Sequence, residues 1–170
     1  MNAALLILRL TVGLLAAGHG AQKLFGLFGG HGLRGTSAFL GSVGYRPAAF
    51  WALLGGLSEF AGGLLFATGF LSPLGPIAIG AAMLTAITKF HWPKLWNTNG
   101  GFEYPLVHLA VAVAVGIAGP GAFSLDAGLG TRLPSGVTTI VVAAAAVGYL
   151  WGMIHSARRP AEVQSRPATA

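Results

Sequence analysis

Five stretches of this chain run almost free of charge: Leu5 to Gln22, Pro47 to Phe70, Leu74 to Thr88, Tyr104 to Ala118 and Val137 to Ile154. Each approaches the roughly 20 residues that carry a helix across about 30 Å of hydrocarbon, the third and fourth being short and completed by flanking aromatic or polar residues. The rest of the composition agrees. Of 170 residues, 54% are hydrophobic and only 8% charged, with a mean hydropathy of +0.72, whereas soluble chains carry about 25% charged residues. The expectation is an all-α integral membrane protein: a four-helix transmembrane bundle plus a fifth, C-terminal transmembrane helix. The first block is read as a retained span rather than a signal peptide, because no basic segment precedes Leu5.

A net charge of +6 and a pI near 10.6 do not point to nucleic acid, because the basic residues lie in the connections between blocks. With five spans, Lys23, Arg34, Arg46, Lys89, Lys94, Arg158, Arg159 and Arg166 share one side of the membrane. Arg9 and Arg132 fall towards the other, where Arg9 is expected to reach headgroups by extending its stem. The positive-inside rule then places the N-terminus outside and the C-terminus in the cytoplasm, as for a multi-pass protein of a bacterial inner membrane. The chain has no cysteine, which excludes disulfides, a thiolate nucleophile, iron–sulfur ligation and a persulfide carrier within it. A redox role therefore requires a bound cofactor or a partner protein.

Breakers mark the boundaries. Gly26 to Gly44 reads as a Gly-rich basic loop, Ser72-Pro73-Leu74-Gly75-Pro76 as a tight turn, and Gly119-Pro120-Gly121 as the end of the fourth helix. Three regions follow: residues 1–127 as the four-helix domain, 128–157 as a linker and fifth span, and 158–170 as a disordered basic tail. Paired glycines inside the second block, Gly55-Gly56 and Gly62-Gly63, allow close helix approach. The fifth span carries no charge between Leu133 and Ala157 and reads as peripheral, with His155, Arg158 and Arg159 as an anchor near anionic lipid.

Polar residues inside the spans carry the functional reading. His19, Gln22 and Lys23 lie at i, i+3, i+4 on one face of the first helix. Glu59 is the only formal charge between Pro47 and Thr88, and an ionisable group at such depth faces the bundle interior and finds a partner. Lys89, His91 and Trp92 close the third helix, while Glu103, Tyr104 and His108 open the fourth. All converge on the basic half of the membrane, as around a cavity open to the cytoplasmic side. Lys23, Lys89 and Lys94 also fit snorkelling stems, and Trp92, Trp96 and Tyr104 an interfacial aromatic belt.

The ordered segments HGAQKLFGLFGG, LLGGLSEFAGGLLFATGFLSPLG, ITKFHWP, GGFEYPLVHLA and GPGAFSLD resemble the DoxX family of small bacterial and archaeal membrane proteins, over residues 5 to 127. His19, Gln22, Lys23, Glu59, His91, Glu103 and His108 match the family's recurrent polar pattern, and Gly26, Gly29 and Gly62 are among its glycines. The resemblance implies a four-helix bundle, so the fifth span is a departure. Its relatives include a small subunit of thiosulfate:quinone oxidoreductase, proteins of quinone or catechol stress, a membrane oxidoreductase complex and, in a eukaryotic branch, receptor-assembly chaperones.

The expected function is a membrane subunit linked to redox chemistry that binds a quinone or similar aromatic molecule, as a subunit of a quinone-linked oxidoreductase would. His19, Glu59 and His108 would be the reacting and proton-relaying groups, and Gln22, Lys23, Lys89, His91, Trp92, Glu103 and Tyr104 the binding residues. Haem held by His19 and His108 is a lesser expectation, and no metal site is expected. The alternative is a non-catalytic scaffold for soluble redox partners, in which buried charges only fix helix register. Expected partners are the lipid bilayer, other redox proteins and a second copy of the chain.

Overall fold

A computed structural model describes residues 1–157, apart from the side chains of His155 and Ala157; the tail at 158–170, with its expected anchor, lies outside the described residues. All regular structure among them is helical. Five apolar helices are α1 (Asn2–Phe25), α3 (Ala48–Thr68), α4 (Leu74–Ala86), α5 (Glu103–Ala118) and α7 (Ser135–Ala157), with short helices α2 (Gly32–Ser42) and α6 (Leu125–Leu129) between them. Four helical stretches, Asn2–Phe25, Ala48–Thr68, Leu74–His91 and Ser135–Ile154, are long and apolar enough to cross a membrane. The 16 residues of α5 span only about 24 Å, so this helix is short for a full crossing.

Close approach of α1 and α3 organises the bundle. A side chain at Gly63 would place its Cβ 2.5 Å from Ala17 N and Gly13 O, and one at Gly20 would run into the backbone of Phe60. Bare backbone on both helices lets them touch where lipid supplies no hydrophobic drive. From there α4 packs on α3, α5 on α4, and α5 returns more loosely to α1. The shared core is apolar and fully enclosed, built from Val12, Ala16, Phe66, Ile79, Met83, Ala112 and Val115.

Three connections differ from their sequence reading. The Gly26 to Gly44 segment is not all loop. It contains α2, an 11-residue helix too short to cross a bilayer. Thr36 Oγ1 donates to the carbonyl of Lys23 at 3.0 Å, satisfying one of the acceptors that the end of α1 leaves free. The proline-rich turn at 72–76 is shorter than expected, since α4 begins at Leu74, and Pro76 fits its first turn, where no amide is needed. At its other end α4 widens into a π-helical turn, Ile87–His91, a local form frequent at functional sites.

Arg9 overturns its expected place among the headgroups. It is 1% exposed, and its Nη2 donates to the carbonyl of Phe123. Asp126 lies within electrostatic reach and accepts from the amides of Leu71 (2.9 Å) and Ser72 (2.8 Å). An acid at the same end of the bundle, beyond α5 in sequence, offsets part of the cost of burying the guanidinium without a direct ion pair. Arg9 Nε and Nη1 have no protein partner, and Arg9 borders, with Gly69 and Ser72, a void of about 10 Å³, about the least space that holds one water.

As expected, α7 is peripheral, with only 6% of its span buried. It packs on α4, and its basic end is fastened by polar contacts: Tyr149 hydroxyl to Thr88 Oγ1 at 3.3 Å and Lys89 Nζ to the carbonyl of Met153 at 3.2 Å. Gly152 rests against the ring of Trp51.

Candidate functional site

The basic half of the bundle holds a polar cluster built from α1, α3 and α5. Lys23 Nζ lies 2.5 Å from both carboxylate oxygens of Glu59. Glu59 is buried, with 5% of its side chain exposed, while Lys23 is 40% exposed. The pair therefore sits at the edge of the interior: the acid is inside the bundle and the ammonium reaches it from the opening. Helix geometry imposes this, since Lys23 is in the last turn of α1 and Glu59 is near the middle of antiparallel α3.

One turn deeper on α1, His19 is exposed although it lies six residues inside the helix end, about 9 Å. Its Nδ1 is 3.0 Å from Gln22 Oε1 and its Nε2 3.2 Å from the Tyr104 hydroxyl. Nδ1 donates to the amide oxygen, which leaves Nε2 to accept from the phenol in the neutral ring. Gln22 Nε2 in turn donates to the carbonyl of Phe28 at 3.1 Å, so the loop after α1 is tied to the same network. The His19 and Tyr104 rings meet edge-on, with centroids 5.4 Å apart.

His108 lies behind Tyr104, ring centroids 4.1 Å apart. It is 3% exposed, and its Nδ1 is 3.2 Å from the carbonyl of Tyr104. Nδ1 is thus the protonated nitrogen, and Nε2 is a buried basic site without a partner. A buried polar atom left unpaired costs about 1 to 3 kcal/mol, so this nitrogen holds an unmet hydrogen-bond acceptor inside the cluster.

The structure brings His19, Gln22, Lys23, Glu59, Tyr104 and His108 together. It places the other sequence candidates around them as braces. Lys89 holds α7, His91 Nδ1 lies 2.8 Å from the carbonyl of Gly100, and Glu103 accepts from the amide of Asn97 at 3.0 Å. Trp92 is 67% exposed and stacks on Phe102 with ring planes 16° apart. These contacts shape the 92–102 connection beside the cluster. No group of three or more metal-ligating side chains occurs among the described residues.

Sequence reasoning sent Arg9 to the headgroups and gave Asp126 no role; the structure brings both to one end of the bundle, where Arg9 bonds the carbonyl of Phe123. A buried apolar core lies between this second polar centre and the Lys23–Glu59 pair. The two ends of the bundle are thus chemically separate.

No curated protein and no solved structure matches the chain. A family model described as DoxX matches residues 4–92, the stretch from α1 to the π-helical turn that carries His19, Gln22, Lys23, Glu59, Lys89, His91 and Trp92. With more than half of its length matched, this multi-helix membrane protein belongs to the DoxX family.

Proposed function

We propose that the protein is a membrane subunit linked to redox chemistry, and that it binds a quinone or similar aromatic redox molecule beside His19 and Tyr104. The observation that carries this reading is the pairing of an exposed imidazole at membrane depth with a buried, unpartnered His108 Nε2 behind it. Polar side chains at that depth are expensive unless they serve a pathway or a ligand. A quinone carbonyl takes a hydrogen bond in place of the one between His19 and Tyr104, and the ring stacks at the Tyr104 edge. Complete reduction of a quinone takes two electrons and two protons; a partner protein's redox cofactor supplies the electrons. This chain contributes proton transfer to the quinone through the Tyr104 hydroxyl and His19, which are re-protonated from water at the exposed face of His19, with His108 Nε2 and Glu59 as acceptors along the relay. Lys23 is engaged by Glu59 and holds that carboxylate in place. The basic end faces the cytoplasm of a bacterial inner membrane in this reading, as the positive-inside rule requires.

The test is binding of labelled quinone to the protein in lipid nanodiscs. Affinity falls at least tenfold in the His19→Ala, Glu59→Ala double variant; equal binding by both proteins rejects the proposal.

One observation favours a scaffold instead: apart from His108 Nε2, each described polar group of the cluster is already satisfied within the chain. A scaffold keeps full activity of its redox complex with Glu59→Gln and loses its partner when the loops are changed. Haem fits the geometry poorly, because Tyr104 fills the space between the two imidazoles. A reduced-minus-oxidised spectrum without a Soret response supports that exclusion.

A further inference from the structure

The contacts between α1 and α3 fix how deep the polar cluster lies. Gly20 faces Phe60, and Gly13 faces Gly63 and Ala67, so the helices are antiparallel and Lys23 falls beside Glu59. Glu59 is about 17 Å from the start of α3 at Ala48 and about 14 Å from its end at Thr68, at about 1.5 Å per residue. The start of α3 is level with the basic ends of α4 and α7. There Trp51 packs on Trp151, ring centroids 5.4 Å apart, and Lys89 holds the carbonyl of Met153. The Lys23–Glu59 pair is therefore near mid-membrane.

Nevertheless α1 ends just beyond it. Phe25 is its last residue, about 10 Å short of the start of α3 by the same measure. The chain does not leave the membrane at that level. Gly30 folds back against the backbone of Gln22, and α2 sets out beside Gly26 and finishes with Gly41 close to Ala48. Thus α1 and α2 make one crossing together, and residues 26–31 interrupt it at depth. Backbone outside a helix is tolerated there only where protein buries it or water lines it, and discontinuous spans of this kind carry the mid-membrane polar sites of transporters.

The ionisable side chains tell which side of the break is wet. Lys23 is 40% exposed, and His19, on the same face of α1, and His31, at the break, are exposed as well. A lysine exposed to hydrocarbon at the middle of a span costs about 2.5 to 3.5 kcal/mol, a cost that water in the bundle removes. Phe25 points elsewhere. Two residues after Lys23, it lies about 200° around the helix, on an outward face that suits its exposed ring to lipid.

We propose that water enters the bundle from the basic end beside this break and stops at His19, an aqueous half-channel that brings the proton supply of that side to mid-membrane. Beneath His19 the apolar core of Val12, Ala16, Phe66, Ile79 and Val115 closes the bundle, so the route does not continue to the Arg9 end. The proposal concerns water and protons, and it holds whether or not a quinone binds beside His19.

The chain has no cysteine, so single cysteines report access without background. Variants of the full chain, in sealed membrane vesicles of each orientation, are treated with a charged, membrane-impermeant methanethiosulfonate. Ser42→Cys, exposed at the end of α2, identifies the face that carries the basic end. His31→Cys and His19→Cys are expected to react from that face alone. Each should do so at least tenfold faster than Leu14→Cys, a position 56% exposed on the Phe25 face of α1. Silence of either histidine position from the basic face, or labelling of His19→Cys from the Arg9 face, would overturn the half-channel. Where His19→Cys does not fold, Gln22→Cys, one turn nearer the break, is read in the same way. Labelling needs no quinone, so failure of the half-channel and failure of quinone binding are seen separately.

Discussion

Lys23 Nζ bridges both oxygens of Glu59 at 2.5 Å, and the two partners are unequally buried, the carboxylate almost completely and the ammonium only in part. The asymmetry predicts unequal mutational costs. Lys23→Met leaves a buried carboxylate uncompensated and should cost about 3 to 5 kcal/mol, unless Glu59 takes up a proton. Glu59→Gln leaves an ammonium that can turn towards the opening, and should cost less. The double variant should recover much of the Lys23→Met loss. Reversible unfolding in mixed micelles measures all three; a Lys23→Met protein as stable as wild type would refute a structural role for the pair.

The glycines of α1 and α3 make a sharper contrast. At Gly20 a Cβ meets the backbone of Phe60, whereas at Gly18 and Gly55 it meets nothing within 4 Å. Gly20→Ala should therefore separate the two helices and destabilise the bundle by about 1 to 3 kcal/mol, the usual range for overpacking. Gly18→Ala and Gly55→Ala should be neutral or stabilising by up to about 1 kcal/mol through helix propensity alone. Thermal unfolding of the three variants, each side by side with wild type, checks the ordering.

The spans were legible in sequence because a bilayer imposes length and composition together. The polar half of the bundle was legible too, since His19, Gln22 and Lys23 share a helical face whatever the tertiary fold. Partner choice was less accessible. His19 meets Tyr104 across 85 residues, and Arg9 meets Phe123 across 114; neither pairing leaves a local periodic signal. Lys89 carries the same charge as Lys23 and lies at the same end of the bundle, yet it binds a carbonyl of α7 instead of a carboxylate. Which cation meets the acid depends on helix rotation, which hydropathy does not encode. The α2 helix was hidden by its glycines, which suggest a loop until Thr36 is seen capping the end of α1.

At the opposite end, Arg9 and Asp126 are expected to act as a coupled unit that pins the α5–α6 connection to the α3–α4 turn. Asp126→Ala removes the acceptor for the amides of Leu71 and Ser72 and should cost about 2 to 3 kcal/mol, while Asp126→Asn retains one acceptor oxygen and should cost less. Arg9→Met and Asp126→Asn together should be less harmful than the sum of the singles, with a coupling of about 1 kcal/mol. Strict additivity would show that the two groups hold the turn independently.

Lys89 separates bracing from ligand contact. Its ammonium donates to the Met153 carbonyl in the closing turns of α7, where a cation also favours the negative end of the helix dipole. Lys89→Met keeps the aliphatic stem and removes the charge. The expected result is faster hydrogen exchange over the last turns of α7, by roughly fivefold for a loss of about 1 kcal/mol, with quinone affinity unchanged. A fall in quinone affinity without faster exchange in α7 would instead place Lys89 at the ligand, and the polar cluster would then extend across α4 rather than ending at Tyr104 and Glu59.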